Sequence, residues 1–244
     1  MKIRIILVVF FILFSRLSFG QVGDTNRLQW DYPVKPGTEE WKKLENTQAR
    51  IDACQIPDSV LQNISTGDLM TLCLRYPLLH AVFAFNNIND GLKKLFTDFN
   101  GIREFAKRED AITYLREKYF AELGIFPSKL STDSHLEIGY SIVHISMLEI
   151  LLSYSDFYTN ATTKVQKEVL ESLLVGYIEK IKYPDYFQGI GFKTNLFARA
   201  HIITKIDAAL SSTFEGKNSA VLFSGRTNAD VINTIDSLSY KLIK

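Results

Sequence analysis

From Thr38 to the C-terminus the chain is a succession of helix starts and stops, and this punctuation limits what it can fold into. Thr38 is placed to cap a helix that opens with Glu39 and Glu40, acids suited to the positive end of the helix dipole, and runs to about Cys54. Pro57 suits the first turn of a short helix over 57–63. Ser65 and Asp68 read as a capping-box-like start for 66–75, which Pro77 stops. The apolar run LLHAVFAFNNI at 78–88 is too short for periodicity to separate buried strand from buried helix, and helix is the expectation. Asn89 and Asn100 are expected to cap helices at 90–99 and 101–108. Asp110 then opens one carrying Ile112, Leu115, Tyr119 and Leu123, with Gly124 as its end. Helical patterns continue at 134–156, 163–181, 194–213 and 228–243. Alternating strand patterns are scarce, the best being Ala220 to Phe223. The expected fold is all-α, with antiparallel helix pairs stacked as a bundle or a short α-superhelix, and no fixed-period repeat decides between the two.

The N-terminus carries an address. Lys2 and Arg4 precede an unbroken apolar run, Ile5 to Phe14, and the stretch ends on Ser18, Phe19 and Gly20. That order is a cleavable secretory signal peptide over 1–20, and ten apolar residues are about half of what a membrane-spanning helix needs. Cleavage after Gly20 leaves Gln21 first. The segment 21–37, with Pro33 and Pro36, reads as an extended entry, and 38–244 as a single helical domain. The expected destination is the periplasm or the exterior, with no membrane span in the mature chain.

Charge narrows the partners. Loss of Lys2, Arg4 and Arg16 with the signal takes the formal net charge from +1 to −2, so no broad basic footprint for nucleic acid remains. With 46% hydrophobic residues the chain has ample material for a core.

Cys54 and Cys73 are the only cysteines, and an even count in an exported chain favours a disulfide between them. Closing that loop would stabilise by about 3 kcal/mol. The competing account is two separately buried thiols. Two sulfurs without a nearby histidine pair make no metal site.

The strings DYPVKPGTEEWKK at 31–43, ACQIP at 53–57, CLRYP at 73–77 and FNGIRE at 99–104 occur in that order. Over roughly residues 30–110 the chain resembles a group of secreted hypothetical helical proteins of Bacteroidota, a group without an assigned activity. The resemblance implies an exported helical domain and carries over no catalytic residue.

One constellation has catalytic residue types. Glu137, Ser141 and His144 stand at i, i+4 and i+7, so a carboxylate, a hydroxyl and an imidazole share one helix face. Such groups are able to serve as acid, nucleophile and base, but nothing like a nucleophile elbow surrounds Ser141. Ser146, Glu149, Ser153 and Asp156 form a second polar stripe around the same helix. Solvated faces are the expectation for both stripes. His135 and Glu137 point to different sides and are poor metal co-ligands, while His80 and His201 read as core or boundary residues. GIG at 189–191 lacks the third glycine and the preceding strand of a dinucleotide site, so no cofactor is implied and glycine flexibility at a helix junction explains it. Tyr183, Tyr186 and Phe187 around Pro184 are expected to plug a core gap. The function these features suggest is a secreted helical interaction module for a partner protein, peptide or glycan. The alternative is a small periplasmic hydrolase using His144 with Glu137 or Glu149.

Overall fold

A computed structural model of the protein describes residues 30–159, 161–210 and 229–244. The signal segment 1–20, most of the entry segment and the strand-like 220–223 lie outside the described residues. From Tyr32 onward the chain forms one unit, and the fold is all-α, with no strand among the described residues.

The first half is built from short helices: α1 (Glu39–Lys42), α2 (Thr47–Ala53), α3 (Asp58–Leu61), α4 (Thr66–Leu74), a 3-10 turn (Leu79–Ala84), α5 (Ile88–Asp98) and α6 (Asn100–Ala106). Thr38 caps α1 by accepting from the Trp41 amide, but the helix expected to reach Cys54 breaks, because Asn46 caps a second start. Ser65 caps α4 and also donates to the Asp68 carboxylate. Asn87, not Asn89, caps α5. Asn100 caps nothing. Its side chain reaches back to Ile56, accepting from the backbone N–H at 3.0 Å and donating to the carbonyl at 2.7 Å, while Gln55 accepts from the Asn100 amide. A side chain able to satisfy a partly buried strand of backbone is worth more there than at a helix end exposed to water.

The strings around Tyr32, Gln55–Ile56, Tyr76 and Phe99–Asn100 meet at this joint. Tyr76 and Phe99 stack at 3.9 Å, Tyr32 lies 6.1 and 6.4 Å from the two rings, and its hydroxyl donates to the Leu72 carbonyl. Tyr32 is thus fastened to α4 by a buried hydrogen bond.

The second half holds four long helices: α7 (Ala111–Thr132), α8 (His135–Ser153), α9 (Thr163–Lys180) and α11 (Ile190–Ile206), with a short α10 (Pro184–Phe187) before the last. Asp133 and Ser134 alone join α7 to α8, which makes them an antiparallel hairpin. Arg116 meets Glu168 and Phe126 meets Tyr183, so α7 and α9 run parallel; Asn195 meets Leu173 and Gly191 meets Lys180, so α9 and α11 run antiparallel. The result is an up-down-up-down bundle, the first of the two expected architectures. The C-terminal helix α12 (Ala229–Leu242) lies against α11 and α9.

Gly124 does not end α7, which continues through Pro127 to Thr132. Gly124 and Pro127 are both exposed, while Leu123 and Phe126, each one residue before them, are buried. Proline removes the donor to the Leu123 carbonyl, and burial of the neighbouring side chains outweighs the local helix-breaking tendency. Helix α8 is long and apolar enough to cross a membrane by length and composition. It is the innermost helix of the bundle, packed chiefly against α11 and α7.

The expected bond between Cys54 and Cys73 is not formed; both are free and buried. Burial pushes the Cys54 thiol up to about 11 and that of Cys73 well above its ordinary value. Each sulfur behaves as a small apolar side chain, with little of the thiolate that disulfide exchange requires. Unfolded, unreduced protein is therefore expected to titrate two thiols, and native protein to react with a thiol reagent only as fast as it opens. A count of zero in denaturant would restore the disulfide.

Candidate functional site

Two polar clusters converge on α8, one inside the bundle and one at its flank. The inner one is centred on Glu149, which is fully buried with Tyr119, Lys180, Thr194, Asn195 and Arg199. Glu149 Oε1 accepts from the Tyr119 hydroxyl at 2.6 Å, Lys180 Nζ at 2.6 Å and Asn195 Nδ2 at 2.8 Å, and Oε2 accepts from Thr194 Oγ1 at 2.7 Å. Donors from α7, α9 and α11 thus meet on one carboxylate of α8. Lys180 also donates to the Gly191 carbonyl at 2.7 Å, and Asn195 to that of Leu173 at 2.9 Å. Asn195 Oδ1 accepts from Arg199 Nε, and Arg199 Nη1 pairs with Asp236 of α12 at 2.7 Å. Two acids and two bases balance, which is the condition for burying charge without a large penalty.

Local sequence explains the geometry. A Cβ at Gly176 would overlap the Tyr119 hydroxyl and ring, so only glycine lets that side chain reach Glu149. Gly189, at φ +74°, turns the chain into α11 and aims the Gly191 carbonyl at Lys180. Burial, and then the charge and hydrogen bond of Glu149, raise the Tyr119 phenol well above its ordinary value, so it stays a donor. Burial pulls Lys180 down, and Glu149 opposes that pull.

The flank cluster joins α7 to the first turns of α8. Lys129 Nζ donates to Ser141 Oγ at 2.9 Å, and Ser141 donates to the Glu137 carbonyl. His144 Nδ1 stands 3.6 Å from Glu122 Oε1, which also pairs with Lys118 at 2.7 Å; Lys129 lies 3.5 Å from the other Glu122 oxygen. The imidazole beside it holds the Glu122 carboxyl well below the usual carboxylate range, with Lys118 assisting and burial opposing. Glu137 is elsewhere engaged. Its carboxylate accepts from the Ser134 backbone N–H and hydroxyl in a capping box, which lowers its pKa.

The shared face of Glu137, Ser141 and His144 is therefore split three ways. Ser141 is buried, His144 half-buried and Glu137 exposed, and the acid beside His144 is Glu122. Of the second stripe, Ser146, Glu149 and Ser153 are buried rather than solvated, and Asp156, past the end of the helix in a 3-10 turn, is exposed. A hydroxyl whose proton is given to a carbonyl and whose lone pair faces an ammonium lacks the adjacent base that makes serine a nucleophile. Phe126 packs on Phe187 at 4.6 Å and on Tyr183 and Tyr186 at 5.9 and 6.1 Å, so the aromatic cluster does fill the junction. His201 lies against Phe197, and burial, then Lys205, lower it to about 4.

Among the described residues no group of three or more His, Cys, Asp or Glu side chains is placed to hold a metal ion. An open groove of about 520 Å³ lies between α3 and α6, lined by Asp58, Leu61, Gln62, Glu104, Lys107 and Arg108. None of these belongs to either cluster. Sequence reasoning missed Lys180, Asn195, Arg199, Glu122 and Lys129. A signal existed: Lys180 is in phase with Leu173 and Gly176, and Asn195 and Arg199 with Ala198 and Ile202, so polar groups stand on buried stripes. No protein-family model, curated protein or solved structure matches this chain.

Lys180→Met leaves Glu149 without its nearest countercharge and is expected to cost about 3–5 kcal/mol, read from denaturant midpoints. Adding Glu149→Leu is expected to recover most of that loss, because the uncompensated charge goes with it. At the flank, the lowered Glu122 pKa contributes stability that is present above its ordinary value of 4.5 and is lost as pH falls below it. Urea midpoints between pH 6 and pH 3 should fall less steeply in Glu122→Gln than in the parent.

Proposed function

We propose that the protein is an exported helical interaction module, binding a partner protein, peptide or glycan at one end of its bundle. The observation that carries this reading is where the exposed apolar side chains lie. Seven large ones are exposed among the described residues, and five of them, Ile125, Leu136, Tyr140, Ile181 and Tyr186, sit on elements that meet at a single end. Phe126 ties the 183–187 segment to the last turns of α7, and Lys129 ties those turns to the start of α8. Leu136 and Tyr140 are one turn apart and share a face. Scattered apolar residues need no explanation, whereas a concentration of them marks an interaction surface. Export is supported by the order of charge, apolar run and small residues in 1–20.

The hydrolase reading draws on His144 and its cross-helix acid, now Glu122 in place of Glu137 or Glu149. It is the weaker reading, because Glu149 is saturated by four donors and Ser141 has no base.

A photo-crosslinker at position 140 is expected to capture a species from host envelope or culture fractions, and one at exposed Lys42 to capture none. Leu136→Glu should abolish capture while shifting stability by less than about 0.5 kcal/mol, as surface changes do. Equal capture at both positions, or capture unaffected by Leu136→Glu, would remove the bundle end as the binding surface. A hydrolysis lost in His144→Ala would replace the module reading with the enzymatic one.

A further inference from the structure

The C-terminal helix covers a buried arginine that has a donor to spare. Arg199 is fully buried; Nε is taken by Asn195 Oδ1 at 2.9 Å, and Nη1 by Asp236 at 2.7 Å with Ser239 Oγ at 3.4 Å. Nη2 has no hydrogen-bond partner. The guanidinium lies over the Tyr177 ring, 4.5 Å from its centroid. A guanidinium presents paired N–H groups that match both oxygens of a carboxylate, and Asp236 engages only one of its nitrogens. The helix that delivers Asp236 is lightly anchored. Of its fourteen residues only Ile235 and Ser239 are buried, whereas α8 buries eleven of nineteen. Asp236 itself keeps 31% of its side chain exposed.

A receptor with an unmade hydrogen bond, filled by a weakly held helix of the same chain, has the form of a site whose resident is a substitute. We propose that α12 occupies in cis a groove for an acidic helix of a partner protein, with Arg199 as the carboxylate receptor and Tyr177 as its floor. The footprint of α12 defines the partner pattern: an apolar residue at the place of Ile235, an acid next to it, and a small polar residue one turn after the apolar one. A glutamate at the acid position extends one methylene further and reaches the unused Nη2. The groove is formed by α9 and α11, and it rests on Arg199 and Tyr177 rather than on the exposed apolar side chains of the bundle end.

The test uses the full chain and labelled synthetic peptides of residues 229–244, read by fluorescence anisotropy. Three peptides are compared: the native sequence, the same with Asp236→Glu, and the same with Asp236→Asn. The Asp236→Glu peptide is expected to bind the wild-type chain at least tenfold tighter than the native one, and the Asp236→Asn peptide at least tenfold more weakly. A chain carrying Asp236→Asn, whose own helix competes less well, should bind both acidic peptides more tightly than wild type does. Equal binding of the three peptides, or binding of none, overturns the proposal. Hydrogen exchange on the unmodified chain provides an arm that no misfolded variant affects. Amides of α12 exchanging at least tenfold faster than those of α8 support a separable helix, and identical rates show that α12 opens only with the whole fold, which overturns it.

Discussion

One carboxylate organises the bundle. Glu149 is placed where water cannot reach it, so each of its lone pairs must be answered from inside, and the answers come from three other helices. Such a group contributes little net stability compared with a well-packed apolar residue, because desolvation offsets attraction. What it supplies is discrimination. An arrangement of these helices that separates Glu149 from Lys180 strands two buried charges, so competing packings of similar apolar burial are penalised. From Asn195 the same polar chain passes to Arg199 and on to Asp236, so the position of α12 is linked to the centre of the bundle by contiguous hydrogen bonds.

The flank cluster is of another kind. Lys118, Lys129 and His144 keep partial access to solvent around buried Glu122 and Ser141, and the Glu122 carboxylate is shared among three partners. That arrangement stitches the α7–α8 hairpin near its turn. The neighbouring apolar side chains of the bundle end project from this stitched hairpin; under the proposed reading, a base held in place lowers the ordering cost of binding.

The fold was legible in the sequence because helix caps and stops are local. Thr38 and Ser65 stand at helix starts with the geometry their side-chain chemistry implies. Failures arose where a distant partner outbid the local one: Asn100 serves Ile56 rather than a helix end, and Gly124 and Pro127 are carried through α7 by the burial of Leu123 and Phe126. The site was less legible for the same reason. Glu149 stood on a polar stripe that looks solvated when one helix is considered alone, and its burial depends on Tyr119, Lys180, Thr194 and Asn195 arriving from elsewhere. The free thiols followed tertiary burial, where cysteine counting had favoured a bond.

The missing side chain at Gly176 fixes the axial register of two helices. Tyr119 passes through the gap it leaves, and one turn along α9 in either direction the place of Gly176 would be taken by Ser172 or Lys180. A slip of one turn, about 5.4 Å, therefore drives a side chain into the tyrosine ring. Helices whose apolar stripes are otherwise tolerant of sliding are thereby indexed to a single setting, and a hydrogen atom in place of a methyl group serves as the reference mark from which the rest of the bundle is aligned.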